Sequence, residues 1–244
     1  MRLDVVFSPQ GLAPTEAAGR TVFVIDVLRA TTTICAALHH GARAVIPAAS
    51  TEEAMRLAQT LGSEDVVLCG ERNTRPIPGF ALGNSPLEMT EEAVGGKLLV
   101  MTTTNGTSAL LATQGAAAVY AVAAANLDAA GARARAALQE SGDILVLCAG
   151  RDQGFALDDA YAAGRLAMAA MGGRRRKGLN DAALASVDLV RRYGLRWDRP
   201  LVLSRAGREL VQAGFAPDIA DASRENAYPV LAQFHERRLT VATS

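Results

Sequence analysis

Lysine is almost missing from these 244 residues: Lys97 and Lys177 are the only two, so 23 of the 25 basic side chains are arginine. With alanine abundant as well, the pattern reads as the codon bias of a GC-rich genome, and an arginine taken alone carries little functional weight. Net charge is missing too, with 25 acids against 25 bases, which argues against nucleic acid or an anionic membrane as partner. The basic run Arg174-Arg175-Arg176-Lys177 has no aromatic neighbours and reads as a solvated loop. Three cysteines, Cys35, Cys69 and Cys148, are odd in number and far apart, which excludes a disulfide framework and predicts buried free thiols in a reducing compartment. The histidines, His39, His40 and His235, lack ligand spacing and receive no role. No apolar run is long enough to span a bilayer, since the longest, Ala116 to Ala125, is short and contains Tyr120. Met1 to Pro9 lacks the basic and apolar regions of a secretory signal. A cytoplasmic globular protein is the expectation.

What is present is a regular alternation. Apolar, β-branched runs at Leu3 to Phe7, Val22 to Asp26, Ala44 to Pro47, Val66 to Cys69, Leu98 to Met101, Val119 to Ala123 and Ile144 to Cys148 read as strands. Between them lie helical segments from Thr31 to His40, from the Ser50 cap to Leu61, after Thr107 to Thr113, and from Leu127 to Glu140. Ser50 with Glu53 three residues on resembles a capping box. Another helix opens at Asp158-Asp159 and ends near Met171. From Leu179 the chain is mainly helical, with helices at Asp181 to Tyr193 and Arg205 to Ala213, and it ends in a mixed tail around Tyr228 to Leu231. This order predicts a three-layer α/β/α fold with a largely parallel or mixed sheet. Residues 1–244 read as one α/β domain, with two joined halves and a helical C-terminal part from about 179 as the variant reading. The composition permits a homodimer without assigning an interface.

Ligands of such folds gather at the carboxyl ends of the strands, and four polar turns are expected there on one rim. The most informative is Phe23-Val24-Ile25-Asp26-Val27-Leu28-Arg29-Ala30-Thr31-Thr32-Thr33: strand, polar turn, helix start. Asp26 projects from the strand end, and Thr31 and Thr32 offer hydroxyls and helix N-terminal amides suited to an anion, phosphate above all. Arg29 adds a planar fork of donors. An acid facing the same anion is useful mainly with a cation between them, and Mg²⁺ is the hard, oxygen-seeking choice. The plain alternative is that Asp26 caps a helix and the threonines only begin it. The other turns are Gly70-Glu71-Arg72-Asn73, the hydroxyl-rich Thr102-Thr103-Thr104-Asn105-Gly106-Thr107, and Cys148-Ala149-Gly150 with the acids 158–159 beyond. Glu71 also reads as a surface partner for Arg72, and Asn84-Ser85-Pro86 as a plain turn. Thr74 to Pro86 is an irregular, proline-rich stretch of the length that usually carries function.

Taken together, Asp26 to Ile34, Gly70-Glu71-Arg72-Asn73, Gly79-Phe80 with Leu82-Gly83-Asn84-Ser85-Pro86, and Thr102 to Thr107 resemble the 2-phosphosulfolactate phosphatase family. Cys148-Ala149-Gly150 followed by Leu157-Asp158-Asp159, and Gly207-Arg208 with Leu210 and Gly214-Phe215, fit the same pattern across residues 20–230. The resemblance implies a Mg²⁺-dependent hydrolase acting on a small polyanionic phosphomonoester, 2-phospho-3-sulfolactate, in a step toward coenzyme M. On that reading Asp26, Glu71 and Asp159 hold or surround Mg²⁺, with Asp158 having an equal claim to the last place. Arg29 and Arg72 bind anionic oxygens, and Thr31, Thr32, Asn73, Asn84, Ser85, Thr103, Thr104, Asn105 and Gly106 complete the cradle. Thr74 stands where the family often has glycine, and Ala81 where it often has aspartate. Attack by water is preferred over a phosphoaspartate on Asp26, because Leu28 stands where a second acid would follow two residues on. A non-catalytic anion- or nucleotide-binding module is the reading from a different class, and it has no use for several acids around its anion.

Overall fold

The computed structural model describes residues 1–13, 15–62, 65–173 and 178–242; the basic run at 174–177 lies outside them. All seven expected strands form: β1 (Arg2–Val6), β2 (Thr21–Ile25), β3 (Ala44–Pro47), β4 (Val66–Arg72), β6 (Leu98–Thr102), β7 (Ala118–Val122) and β8 (Asp143–Cys148). A two-residue β5 (Arg75–Pro76) and a terminal pair, β9 (Ala232–His235) and β10 (Arg238–Val241), join them in one sheet of order β1-β8-β2-β7-β9-β10-β3-β6-β4-β5. The expected helices stand where the pattern puts them: α1 (Ala30–His39), α2 (Thr51–Leu61), α4 (Gly106–Leu111), α5 (Leu127–Glu140), α6 (Leu157–Met171), α7 (Asp181–Tyr193) and α9 (Arg205–Gln212). Short helices α3 (Glu91–Val94), α8 (Asp198–Leu203) and α10 (Ala216–Ala222) add to these.

The layers follow from the residues of β2. Every one of them is buried, as a strand covered on both faces requires, and their side chains alternate between two cores. Phe23 and Ile25 join Tyr120, Val146, Leu127, Tyr161 and Leu166 under α5 and α6. Val22 and Val24 join Ala121, Leu145, Ile34, Cys35 and Leu110 under α1 and α4. Fully burying a side chain the size of Ile34 contributes about 1.5–3 kcal/mol, and α1 is buried from Ala30 through Leu38. Helix α2 lies farther out, burying only Ala54. Its start is capped as expected, with Ser50 accepting from the Glu53 amide at 3.1 Å, while Glu53 reaches back to the Ala49 amide at 2.7 Å. Cys35, Cys69 and Cys148 are buried free thiols.

The sheet corrects the expectation of one shared rim. Strands β1, β8, β2 and β7 are mutually parallel, as are β3, β6 and β4. The β9–β10 hairpin sits between these groups and pairs antiparallel with both, through β7 and β3. Following the directions across, the second group runs opposite to the first. The turns after β2 and β8 and those after β4 and β6 therefore belong to half-sheets of opposite polarity. They meet through helix packing instead: α1 and α4 touch at their N-termini, and the position of a Cβ on Gly106 would lie 2.5 Å from Asp26 Oδ2. Glycine is what lets the two starts close on each other. The hairpin itself appears in the sequence only as a mixed tail. Its turn residues, Glu236 and Arg237, both adopt left-handed φ values of 47° and 61° without the Asn-Gly or Asp-Gly pair that marks such turns. Arg237 pairs with Glu53 at 2.8 Å, tying the hairpin to the start of α2.

Candidate active site

The two half-sheets converge on a polar pocket of about 490 Å³, open mouth included. Asp26 and Arg29 enter it from the turn after β2, Glu71, Asn73 and Thr74 from the end of β4, and Asn84 from the irregular stretch. Thr104 and Asn105 come from the start of α4, and Arg151 and Asp152 from the turn after β8. Leu28, Ala206 and Leu210 supply apolar wall. Seven of the candidate site residues read from the sequence thus line one cavity.

Each acid is held differently. Asp26 is 8% exposed and its carboxyl is pushed up from 3.8 to about 7, first by burial, then by the neighbouring charges of Asp158 and Glu71, against a hydrogen bond from the Ala30 amide. Glu71 spends both oxygens on backbone amides, Oε1 accepting from Thr104 and Oε2 from Thr74, each at 2.7 Å. It thereby ties the end of β4 to the start of α4. Asp159 does the same across the other half: Oδ1 accepts from the Val27 amide and Oδ2 from the Gly150 amide, both at 3.0 Å. Burial and the charges of Asp158 and Asp26 raise its carboxyl well above the ordinary range. Asp158 is the acid with an uncommitted atom. Its Oδ1 is buried without a hydrogen-bond partner, and burial pushes its carboxyl up to about 6 against the pull of Arg151 and of nearby amides. The adjacent acids, which spacing leaves alike, differ in their bonding. Asp159 is a strap between the turns after β2 and β8, and Asp158 is available. Among the described residues, no three or more His, Cys, Asp or Glu side chains are grouped to hold a metal ion.

The cations are similarly unequal. Arg29 is buried and donates Nη1 to Asp218 Oδ2 on α10 at 2.7 Å and Nη2 to the Thr74 carbonyl at 3.0 Å, with its guanidinium 4.6 Å from the Phe215 ring centre. Arg151, which lowers the proton affinity of Asp26 and Asp158, pairs with Glu209 on α9 while its Nε is buried without a partner. Reading every arginine as weak information hides Arg151. Its signal is position, directly after Cys148-Ala149-Gly150 at a strand end.

The hydroxyls depart most from expectation. Thr31 and Thr32 are fully buried and do not line the pocket. The Thr31 hydroxyl sits 2.7 Å from the carbonyls of Asp26 and Val122, and that of Thr32 donates to the Val27 carbonyl at 2.8 Å. A helix starting straight after a strand leaves strand-end carbonyls unpaired, and these hydroxyls satisfy them. The Thr31 amide is also spent, donating to the Asp26 carbonyl at 2.9 Å. Thr103 exchanges hydrogen bonds with Thr107, Ser85 donates to Asp218 Oδ1 at 2.7 Å, and Arg72 donates to the Glu71 carbonyl and to Thr102 Oγ1. These three, with Gly106, shape the site from behind. Thr74 lines the pocket with a left-handed φ of 69°, the conformation for which glycine is the ordinary residue, which accounts for the family preference there. Ala81 is exposed and outside the pocket, so the second departure does not touch the lining.

A three-layer α/β fold whose strand-end turns gather acids, arginines and amides around one small pocket is suited to a small anion, and the family that it matches is one of phosphomonoester hydrolases. The family model described as 2-phosphosulpholactate phosphatase matches residues 6–237. Relatives named probable 2-phosphosulfolactate phosphatase are 40% identical over 226 residues in Symbiobacterium thermophilum, covering 93% of this chain and 96% of that protein, and 34% identical over 246 residues in Carboxydothermus hydrogenoformans, covering 100% and 98%. A third, from Deinococcus radiodurans, is 39% identical over 227 residues, covering 92% and 89%. The chain belongs to the 2-phosphosulfolactate phosphatase family. No helix among the described residues is long and apolar enough to cross a membrane.

Proposed function

We propose that this chain is a Mg²⁺-dependent phosphatase that converts 2-phosphosulfolactate to sulfolactate and inorganic phosphate. The observation that carries the reading is the pair Asp26 and Asp158: two buried acids whose charges act on each other, Asp26 lining the pocket and Asp158 the cavity that adjoins it, one with an oxygen lacking any partner. Such a pair repels a polyanionic ester unless a cation intervenes. Mg²⁺ suits this donor set, because it commonly takes one or two carboxylates and completes its shell with phosphate oxygens and water. We therefore assign it to Asp26 and Asp158, with Glu71 and Asp159 bracing the loops around them. When bound it supplies positive charge to the phosphoryl oxygens, the largest electrostatic need of the reaction.

The remaining work falls to the chain. Arg29, held by Asp218, and Arg151 face the ester's anionic oxygens with fixed donors. Asn84, whose Oδ1 is buried and unpartnered, can accept from the attacking water and orient it. Thr104 and Asn105 border the phosphoryl group at the start of α4. The water oxygen bonds to phosphorus as the bond from phosphorus to the ester oxygen breaks, and the proton that the water gives up ends on the departing alkoxide. Positioning and electrostatics together must lower the barrier by on the order of 20 kcal/mol. Leu28 is part of the pocket wall, which leaves no second acid two residues after Asp26, and attack by water is the route we favour.

Release of phosphate from 2-phosphosulfolactate and a panel of small phosphomonoesters, with and without EDTA, tests this reading. EDTA-sensitive release that is fastest with the sulfonated ester is expected. Tight anion binding without turnover of any ester would identify a binding module instead, and a trapped phosphoryl group on Asp26 would overturn the water route.

A further inference from the structure

We infer that a second cavity beside the phosphate pocket is a subsite for another acidic group of the same substrate, and that Arg208 is its specificity-determining residue. The inference rests on the function proposed above. This cavity, about 560 Å³ with its open mouth, lies between the start of α6 and helices α8 and α9. It shares Arg151 and Ala206 with the phosphate pocket, so the two form one continuous cleft with Arg151 at the join. An ester carrying its phosphate and a second anion on neighbouring carbons would span that join.

The charges within the cavity single out one residue. Arg205 is already paired, with Asp152 at 2.6 Å and Glu209 at 2.9 Å, and the terminal nitrogen of Arg151 goes to Glu209. Arg208 is exposed, donates to the Leu203 carbonyl, and has no carboxylate partner among the described residues. Together with the unpartnered Nε of Arg151, it gives this end of the cleft donors that no protein acid takes; the acid that also lines the cavity, Asp158, is the one proposed above to hold Mg²⁺. Phe155 and Leu203, both about half exposed, flank it with apolar surface, which strengthens a charge contact by keeping water away. The position of Arg208 is set by its neighbour. A Cβ on Gly207 would run into the Leu201 carbonyl, so the absence of a side chain there lets the α9 backbone lie directly on α8. A sulfonate, with three acceptor oxygens on one face, matches the guanidinium fork.

The test is Arg208→Gln assayed against two esters, 2-phosphosulfolactate and 2-phospholactate, which differ only in the sulfonate. In the wild type the sulfonated ester should have the higher kcat/KM. In the variant the ratio of the two kcat/KM values should fall by roughly tenfold or more, through KM rather than kcat, as loss of one charge-assisted contact predicts. Calorimetric titration with sulfolactate should weaken by a similar factor. A ratio that does not move, or equal losses on both esters, overturns the subsite while leaving the phosphatase reading intact. A wild-type protein that hydrolyses neither ester removes the phosphatase reading, and the subsite with it.

Discussion

Replacing Asp26 by asparagine should make the metal-free protein more stable while abolishing turnover. Asp26 is buried, and its carboxyl titrates at about 7 in the folded state against 3.8 in an exposed chain. A group whose proton affinity is raised by folding favours the folded state while protonated, so its contribution is fully present below about pH 4 and is lost as the pH rises through about 7. At about 1.4 kcal/mol for each tenfold change in affinity, the rise from 3.8 to about 7 costs the folded protein about 4 kcal/mol at about pH 8. An asparagine of the same shape carries no charge to desolvate and keeps an acceptor for the Ala30 amide. Urea unfolding in EDTA at about pH 8 should therefore show Asp26→Asn more stable by about 2–4 kcal/mol, with the difference vanishing at about pH 4. Added MgCl₂ should stabilise the wild type and leave the variant unmoved. A variant that is less stable at high pH, or a difference that does not depend on pH, would refute the argument from burial and like charge.

Three further substitutions probe the frame around the pocket. Thr74→Gly should raise stability by up to about 1 kcal/mol, because relief of a β-branched residue at a φ of 69° outweighs glycine's added chain entropy, with the Glu71 contact and activity retained; thermal unfolding with an activity assay reads both. Asp159→Asn should destabilise by about 1–3 kcal/mol at about pH 4, where the charge cost of burying Asp159 is absent, since an NH₂ group would face either the Val27 or the Gly150 amide, and denaturant unfolding at that pH shows it. Gly106→Ala should lower kcat by about tenfold or more, because its methyl would lie 2.5 Å from Asp26 Oδ2 and push the carboxylate off its position; steady-state kinetics at saturating substrate measures it.

The strands and long helices were legible because their signals are local. Phe23-Val24-Ile25, largely β-branched and followed by a polar turn, reads as a covered strand, and Ser50 with Glu53 marks a helix start. The turns after β2, β4, β6 and β8 were legible as places for chemistry for the same reason. The direction of each threonine was not: Thr31 and Thr32 look like ligand donors in a row of hydroxyls, yet the carbonyls that they satisfy belong to the end of β2 and to Val122. Arg151 was obscured by the abundance of its own residue type, and Asp218, the partner of Arg29, lies 189 residues away in sequence.

Pattern and turn chemistry in the chain alone determined a layered α/β protein, the rims where anions could bind, and the acids and arginines from which a site is drawn. Tertiary structure decided the polarity of the two half-sheets, set by a hairpin whose four-residue strands carry little signal of their own. It also decided which acid keeps an unpartnered oxygen. Asp158 and Asp159 are adjacent and chemically identical, and they are told apart only by the amides of Val27 and Gly150, which reach one and not the other. Hydrogen bonds between distant segments exist only once the backbone has closed around them, and no local pattern encodes where they end.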